Sequence, residues 1–176
     1  VAATPWLLGV IRLRAEATLV ELLPELKLGE RIALARLATR ALLARLVDDV
    51  DLRVVETSLL NPRLTTDDLL AAIGRHTASR LLLEACAASS RWREVYAVRL
   101  GLVLQPRTPL ALALAQISSL TRRDLLRVQS AVALAPLLCR AAEHVLAVRA
   151  EAREEIVSPP TPDGEGQDPD DPDPEN

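Results

Sequence analysis

Proline cannot donate a main-chain hydrogen bond and pushes the residue before it out of the helical region, so an apolar helical run that meets proline must stop there. The chain does this twice in related settings. Residues 51–70, DLRVVETSLLNPRLTTDDLL, run apolar to Leu60, break at Asn61-Pro62 and restart at Thr65, where a hydroxyl precedes a carboxylate at capping-box spacing. Residues 98–114, VRLGLVLQPRTPLALAL, follow the same plan. A shift of 44 residues lays Val54 on Val98, Leu59 on Val103, Leu60 on Leu104, Pro62 on Pro106, Arg63 on Arg107 and Leu70 on Leu114. A helix–turn–helix unit recurring at this interval predicts a stacked helical array, with Asn61, Pro62, Pro106 and Pro109 as its structural turns.

The remaining signals are helical as well. No stretch alternates with period two, so the fold class is all-α. Thr4-Pro5 starts a helix that Pro24 ends near Leu23. Its apolar residues, among them Trp6, Val10, Ile11, Leu13, Leu19 and Val20, spread over more than one stripe, as in an end helix that meets something further. Trp6 reads as an anchor between helices. Lys27 to Glu30 reads as a turn, Thr39 as a break between two helices, and Thr77 as the cap of the next helix. Ser89-Ser90 marks a boundary, after which Arg91-Trp92-Arg93 opens the helix leading into the second unit. Thr108-Pro109, Thr121-Arg122-Arg123-Asp124 and Ala135-Pro136 mark three later starts. About nine or ten short helices result.

The charge divides the chain in two. Residues 1–157 carry 21 basic and 17 acidic groups, a balance of +4, whereas residues 158–176 carry seven acidic groups and no basic one. That second segment also holds six of the 12 prolines and lacks Leu, Ile, Val and aromatics, so nothing offsets the entropy of ordering it. An α-helical domain over 1–157 and a disordered tail over 158–176 are therefore expected. A body at +4 is too weakly basic to identify a nucleic-acid binder by charge alone. Cys86 and Cys139 are isolated and read as free thiols. No basic leader precedes an apolar run at the start, and the longest uncharged run, 108–121, is shorter than the ~20 residues that span a bilayer. A cytoplasmic protein without membrane contact is the expectation.

Chemistry-bearing clusters are few. Asp48, Asp49 and Asp51 could offer hard oxygen ligands to a metal, but they lack the glycine and spacing of a calcium loop and sit where a helix start wants carboxylates. Cys139 and His144 are five residues apart on one helix, which turns their side chains ~140° apart. His76 and His144 are the only histidines, and no metal-ligand or nucleophile spacing includes them. No catalytic residue, metal or cofactor is expected. One surface feature remains. Arg53, Arg63, Arg91, Arg93, Arg99 and Arg107 cluster around the two units with Trp92 and Tyr96 interleaved. Guanidinium forks match carboxylates and phosphates, so these residues could line a groove for a partner. The competing reading is a solvated face, with Arg99 pairing to an Asp at a neighbouring helix start.

The Val98-Arg99, Pro106, Thr108-Pro109 pattern, with Val54, Asn61, Pro62 and Thr65 in the first copy, resembles bacterial leucine-rich-repeat-variant units; the wider layout resembles HEAT-like α-solenoids. The resemblance covers about residues 28–150 as a layout. It implies a short right-handed α-solenoid, here lengthened to a 44-residue interval by an extra helix over 77–89. The cysteine cluster that holds an iron–sulfur centre in some such proteins has no counterpart. The resemblance implies a superhelical binding scaffold with no activity attached; a non-enzymatic scaffold whose helical-repeat groove takes another protein is the function expected, the Arg cluster suiting an acidic peptide segment, with nucleic-acid binding through the Arg face as the alternative.

Overall fold

The computed structural model describes the backbone of residues 4–157 and the side chains of residues 9–11 and 13–153. The Trp6 side chain and the 158–176 tail lie outside the described residues. Within them the chain is all-helical and no strand occurs, with eleven α-helices and one 3-10 turn. Helix α1 spans Thr4–Leu22 and passes into the 3-10 turn Leu23–Glu25 at Pro24. Next come α2 (Leu28–Leu37), α3 (Arg40–Leu46), α4 (Leu52–Leu60) and α5 (Thr66–Ile73). Then follow α6 (Arg80–Ala88), α7 (Ser90–Arg93), α8 (Tyr96–Leu104), α9 (Leu110–Ile117), α10 (Arg122–Gln129) and α11 (Pro136–Val157).

Most starts lie where local chemistry predicts, because a cap needs only a side-chain acceptor within three residues of an orphan N–H. Asp51 accepts from the Arg53 N–H at 3.0 Å. Thr65 and Thr121 each accept from the N–H of an Asp three residues on, Asp68 and Asp124, both at 3.3 Å. Four boundaries differ from expectation. Residues 28–30 already belong to α2, since Glu30 reaches back to the Lys27 N–H at 2.7 Å and supplies the acceptor that lysine cannot. Ser79, not Thr77, caps α6, accepting from the Leu82 N–H at 3.1 Å. Arg91, Trp92 and Arg93 form a separate single turn, cut from α8 by Glu94 and Val95. At α9 the cap position is Pro109, while the buried Thr108 hydroxyl finds no partner.

Helices α2, α4 and α6 lie side by side in that order with their carboxyl ends together. Asn61, just past α4, donates to the carbonyls of Ala35 and Arg36 at the end of α2, and Trp92, just past α6, donates to Leu59 of α4. Helices α3 and α5 pair the same way but run in the opposite direction, joined where Arg75 donates to the Ala44 carbonyl at 2.9 Å. Because α7 is a single turn, no full helix follows α5 in its row, and α8 packs there instead. Gly101 permits the approach: a Cβ on it would lie 3.1 Å from Leu70 Cδ2. Helix α9 then packs on α8, and α11 crosses α9 and α10.

Two clusters of buried aliphatic side chains result. One runs from Ala35 to Leu102 and includes Leu43, Val55, Leu69, Leu83 and Trp92; the other runs from Val103 to Ala142 and includes Ile117, Leu125 and Val128. Helix α8 serves both, with Val98 and Leu102 in the first and Val103 in the second.

Candidate partner-binding edge

The arginines that cluster in sequence separate in space. Arg53 stands at the amino end of α4, where it pairs with Asp51 (Nη2–Oδ2 3.1 Å) and holds that carboxyl below its ordinary range through the hydrogen bond between them. Arg63 stands at the carboxyl end of the same helix, ~13 Å away at 1.5 Å per residue. Its Nη1 donates to the carbonyls of Leu37 at 2.8 Å and Ala38 at 3.3 Å, at the end of α2. Arg91 joins it at this end, with Nη1 on the Asn61 carbonyl at 3.0 Å and Nη2 on the Leu64 carbonyl at 3.1 Å, its guanidinium 4.3 Å from the Trp92 ring centre. Trp92 is 2% exposed and donates from Nε1 to the Leu59 carbonyl at 2.8 Å. Arg93 pairs with the adjacent Glu94.

Arg107 occupies the opposite end of the molecule from Arg63, although the two match in the 44-residue comparison. Its Nη1 donates to the His76 carbonyl at 3.2 Å, beyond the end of α5, which runs against α4. The local device is nevertheless shared. Gln105 replaces Asn61 and donates to the carbonyls of Ile73 and Arg75, as Asn61 does to α2, and each amide oxygen accepts the N–H of the arginine two residues on. Both Pro62 and Pro106 lie between helices in these turns. The ends diverge because α8 packs on α5 rather than extending the α2–α4–α6 row.

Among the described residues Arg99 makes no ion pair. Its guanidinium lies 5.7 Å from the Tyr96 ring centre, and its buried Nε lacks a partner. The Asp at the neighbouring helix start, Asp124, is held by Tyr96 instead: the Tyr96 hydroxyl donates to Asp124 and accepts the Thr121 N–H at 3.0 Å. This bond, with others from Thr121 and Arg127, keeps the Asp124 carboxyl below its ordinary range against the opposing effect of burial.

The acidic cluster is fully employed in structure. Asp48 accepts from the Ser79 N–H at 2.9 Å, Asp49 takes both bonds from Arg31 at 3.0 Å, and Asp51 caps α4. No group of three candidate metal ligands occurs among the described residues. Burial pushes the Cys86 thiol up to about 12, which leaves it without a thiolate at neutral pH. No described helix is long and apolar enough to cross a membrane.

What stays open at the α2–α4–α6 end is apolar and cationic. Leu37 and Leu60, the last residues of α2 and α4, are 76% and 70% exposed. Between α4 and α6 a notch of about 230 Å³ is lined by Leu59, Leu60, Ala85 and Ala88, with Glu56, Ser89 and Ser90 at its rim. That falls below the ~300–1,000 Å³ of small-molecule pockets, so the notch suits a single side chain. Sequence reasoning named Arg63, Arg91 and Trp92 here but missed Leu37 and Leu60. Their signal was available: each ends a helical run at a position that the buried stripe does not need.

Comparison with known proteins finds no match: no family model, characterised protein or solved structure aligns with the chain.

Proposed function

We propose that this chain is a non-enzymatic protein-interaction scaffold, a short right-handed α-solenoid of the HEAT-like or leucine-rich-repeat-variant kind, whose partner is another protein carrying an acidic segment. One observation carries the reading. At the carboxyl ends of α2 and α4, Arg63 and Arg91 are fixed by main-chain carbonyls beside the exposed Leu37 and Leu60. A guanidinium already held in place loses little further freedom when its remaining N–H groups meet a carboxylate, and exposed leucine supplies apolar area for burial. The carboxylates of Asp48, Asp49 and Asp51 are engaged in caps and an ion pair, which supports a binding role for this chain.

Nucleic-acid binding would draw on the same arginines, and salt separates the two. Retention of a cellular protein on the immobilised full chain after nuclease treatment, persisting to ~0.5 M salt, is the expected result. Loss of all captured material on nuclease treatment, with an affinity that falls steeply and log-linearly with salt, would overturn the proposal in favour of phosphate contacts.

A further inference from the structure

The positive excess of the helical body is unevenly placed. Residues 1–94 carry 13 basic and 12 acidic groups, whereas residues 95–149 carry seven arginines and two carboxylates. Arg149 shows where that excess gathers. Its guanidinium donates to the carbonyls of Leu120 at 2.8 Å and Ser118 at 2.6 Å, which brings α11 onto the α9–α10 turn. Arg122 and Arg123 follow Leu120 by two and three residues, are exposed, and make no ion pair among the described residues. Arg99 stands beside Tyr96, whose hydroxyl accepts the Thr121 N–H of the same turn. The opposing carboxylates are few. Asp124 is engaged by Tyr96, Thr121 and Arg127, and Glu94 pairs with Arg93. Glu143 and Glu151 flank Arg149 along α11 and are exposed, while α9 and residues 118–121 hold no ionisable side chain.

We infer that the chain's own acidic segment, residues 163–176, folds back onto Arg122, Arg123 and Arg149 and shields them from other polyanions. Charge and reach name this occupant. Residues 158–176 carry seven carboxylates and no basic group, and they leave from the end of the helix that holds Arg149. Arg149 lies eight residues before Val157, ~12 Å back along α11 at 1.5 Å per residue. The first of the seven carboxylates, Asp163, is six residues past Val157, and extended chain covers up to ~3.3 Å per residue, so the return is within reach. Residues 150–157 carry three carboxylates and one arginine, so the segment finds no attraction along the end of α11 and is drawn past it to the turn. Each exposed pair is weak, but tethering supplies the segment at an effective concentration on the order of mM.

Paramagnetic broadening in the NMR spectrum of the full chain tests this. A nitroxide is attached through Gln167→Cys, with Cys139→Ser to remove the half-buried thiol; Cys86 is fully buried. In ~0.05 M salt, where the screening length is about 10 Å or more, the amides of residues 118–123 should lose at least about half their intensity, and those of α2 and α4 should not. The loss should disappear at ~0.5 M salt, on replacing the seven carboxylates of the segment by amides, and in Arg122→Glu/Arg123→Glu. Glutamates in the first turn of α10 suit the positive end of its dipole, so that variant should keep its fold. Arg36→Glu/Arg45→Glu, exposed on α2 and α3, should leave the broadening unchanged. Broadening spread evenly over all exposed amides, or unaltered by Arg122→Glu/Arg123→Glu, overturns the inference. So does broadening that passes to an isotope-labelled chain without nitroxide when it is mixed with the nitroxide-bearing chain, since the segment then docks on a second copy.

Discussion

At the scale of single residues, a set of polar side chains in this protein acts on the open carboxyl ends of helices. The last four carbonyls of a helix have no partner within it and carry the negative end of its dipole, so a buried helix end needs donors from elsewhere. Asn61, Arg63, Trp92 and Gln105 supply them, and Arg107 and Arg149 donate to carbonyls just past helix ends, the latter to Leu120 at 2.8 Å and Ser118 at 2.6 Å. Trp92→Phe keeps a ring in the core but removes the donor to Leu59, and should cost about 2 kcal/mol in urea unfolding. Carboxylates give the pH dependence. Hydrogen bonds from Arg53 to Asp51 and from Tyr96 to Asp124 hold both groups below their ordinary values in the folded chain, as do Thr65 and Arg40 for Asp68 in spite of its burial. The folded state therefore binds fewer protons than the unfolded state in acid, and this stability is present above ~pH 4 and lost as pH falls further. Tyr96→Phe should flatten that acid slope, and an unchanged slope would mean that Tyr96 does not set it. Burial of Cys86 acts at the other end: its stability is present below about 9 and is lost towards 12, as the unfolded thiol ionises first.

At the scale of elements, the caps separate what local sequence can specify from what it cannot. Thr65, Thr121 and Asp51 were legible because donor and acceptor lie within three residues. Thr108-Pro109 shows the same local signal and fails. Packing buries Thr108 with its hydroxyl unpartnered and leaves the cap position to Pro109. Thr121→Val should thus cost about 1 kcal/mol, the worth of a cap, whereas Thr108→Val should be neutral or stabilising by up to ~1 kcal/mol. Equal losses in thermal melts of the two variants would contradict this difference. The single turn α7 was illegible for another reason. Arg91-Trp92-Arg93 has ordinary helical propensity, and only the pull of Trp92 and Arg91 onto the end of α4 stops the chain from running on into α8. The arginine roles were hidden likewise, since their carbonyl partners lie about 30 residues away in sequence.

At the scale of the whole molecule, α8 lines both aliphatic clusters, so neither can come apart without exposing it. Unfolding should therefore follow one transition despite two cores. With Trp6 replaced by Phe, Trp92 fluorescence reports the first cluster and far-ultraviolet circular dichroism reports all the helices. Their urea curves should coincide, and Leu125→Ala in the second cluster should shift both together. Separate midpoints would show that the clusters melt independently. The paired turns at Pro62 and Pro106 were legible as equivalent, but their placement at opposite ends was not, because it depends on how short α7 is. The long-range donors to helix ends described above share a direction: each follows the carbonyl it serves, by 26 residues from Ala35 to Asn61 and by 33 from Leu59 to Trp92. On a ribosome, then, a helix end emerges before the residue that secures it, and nascent chain must wait for roughly one further helical pair before each end is closed.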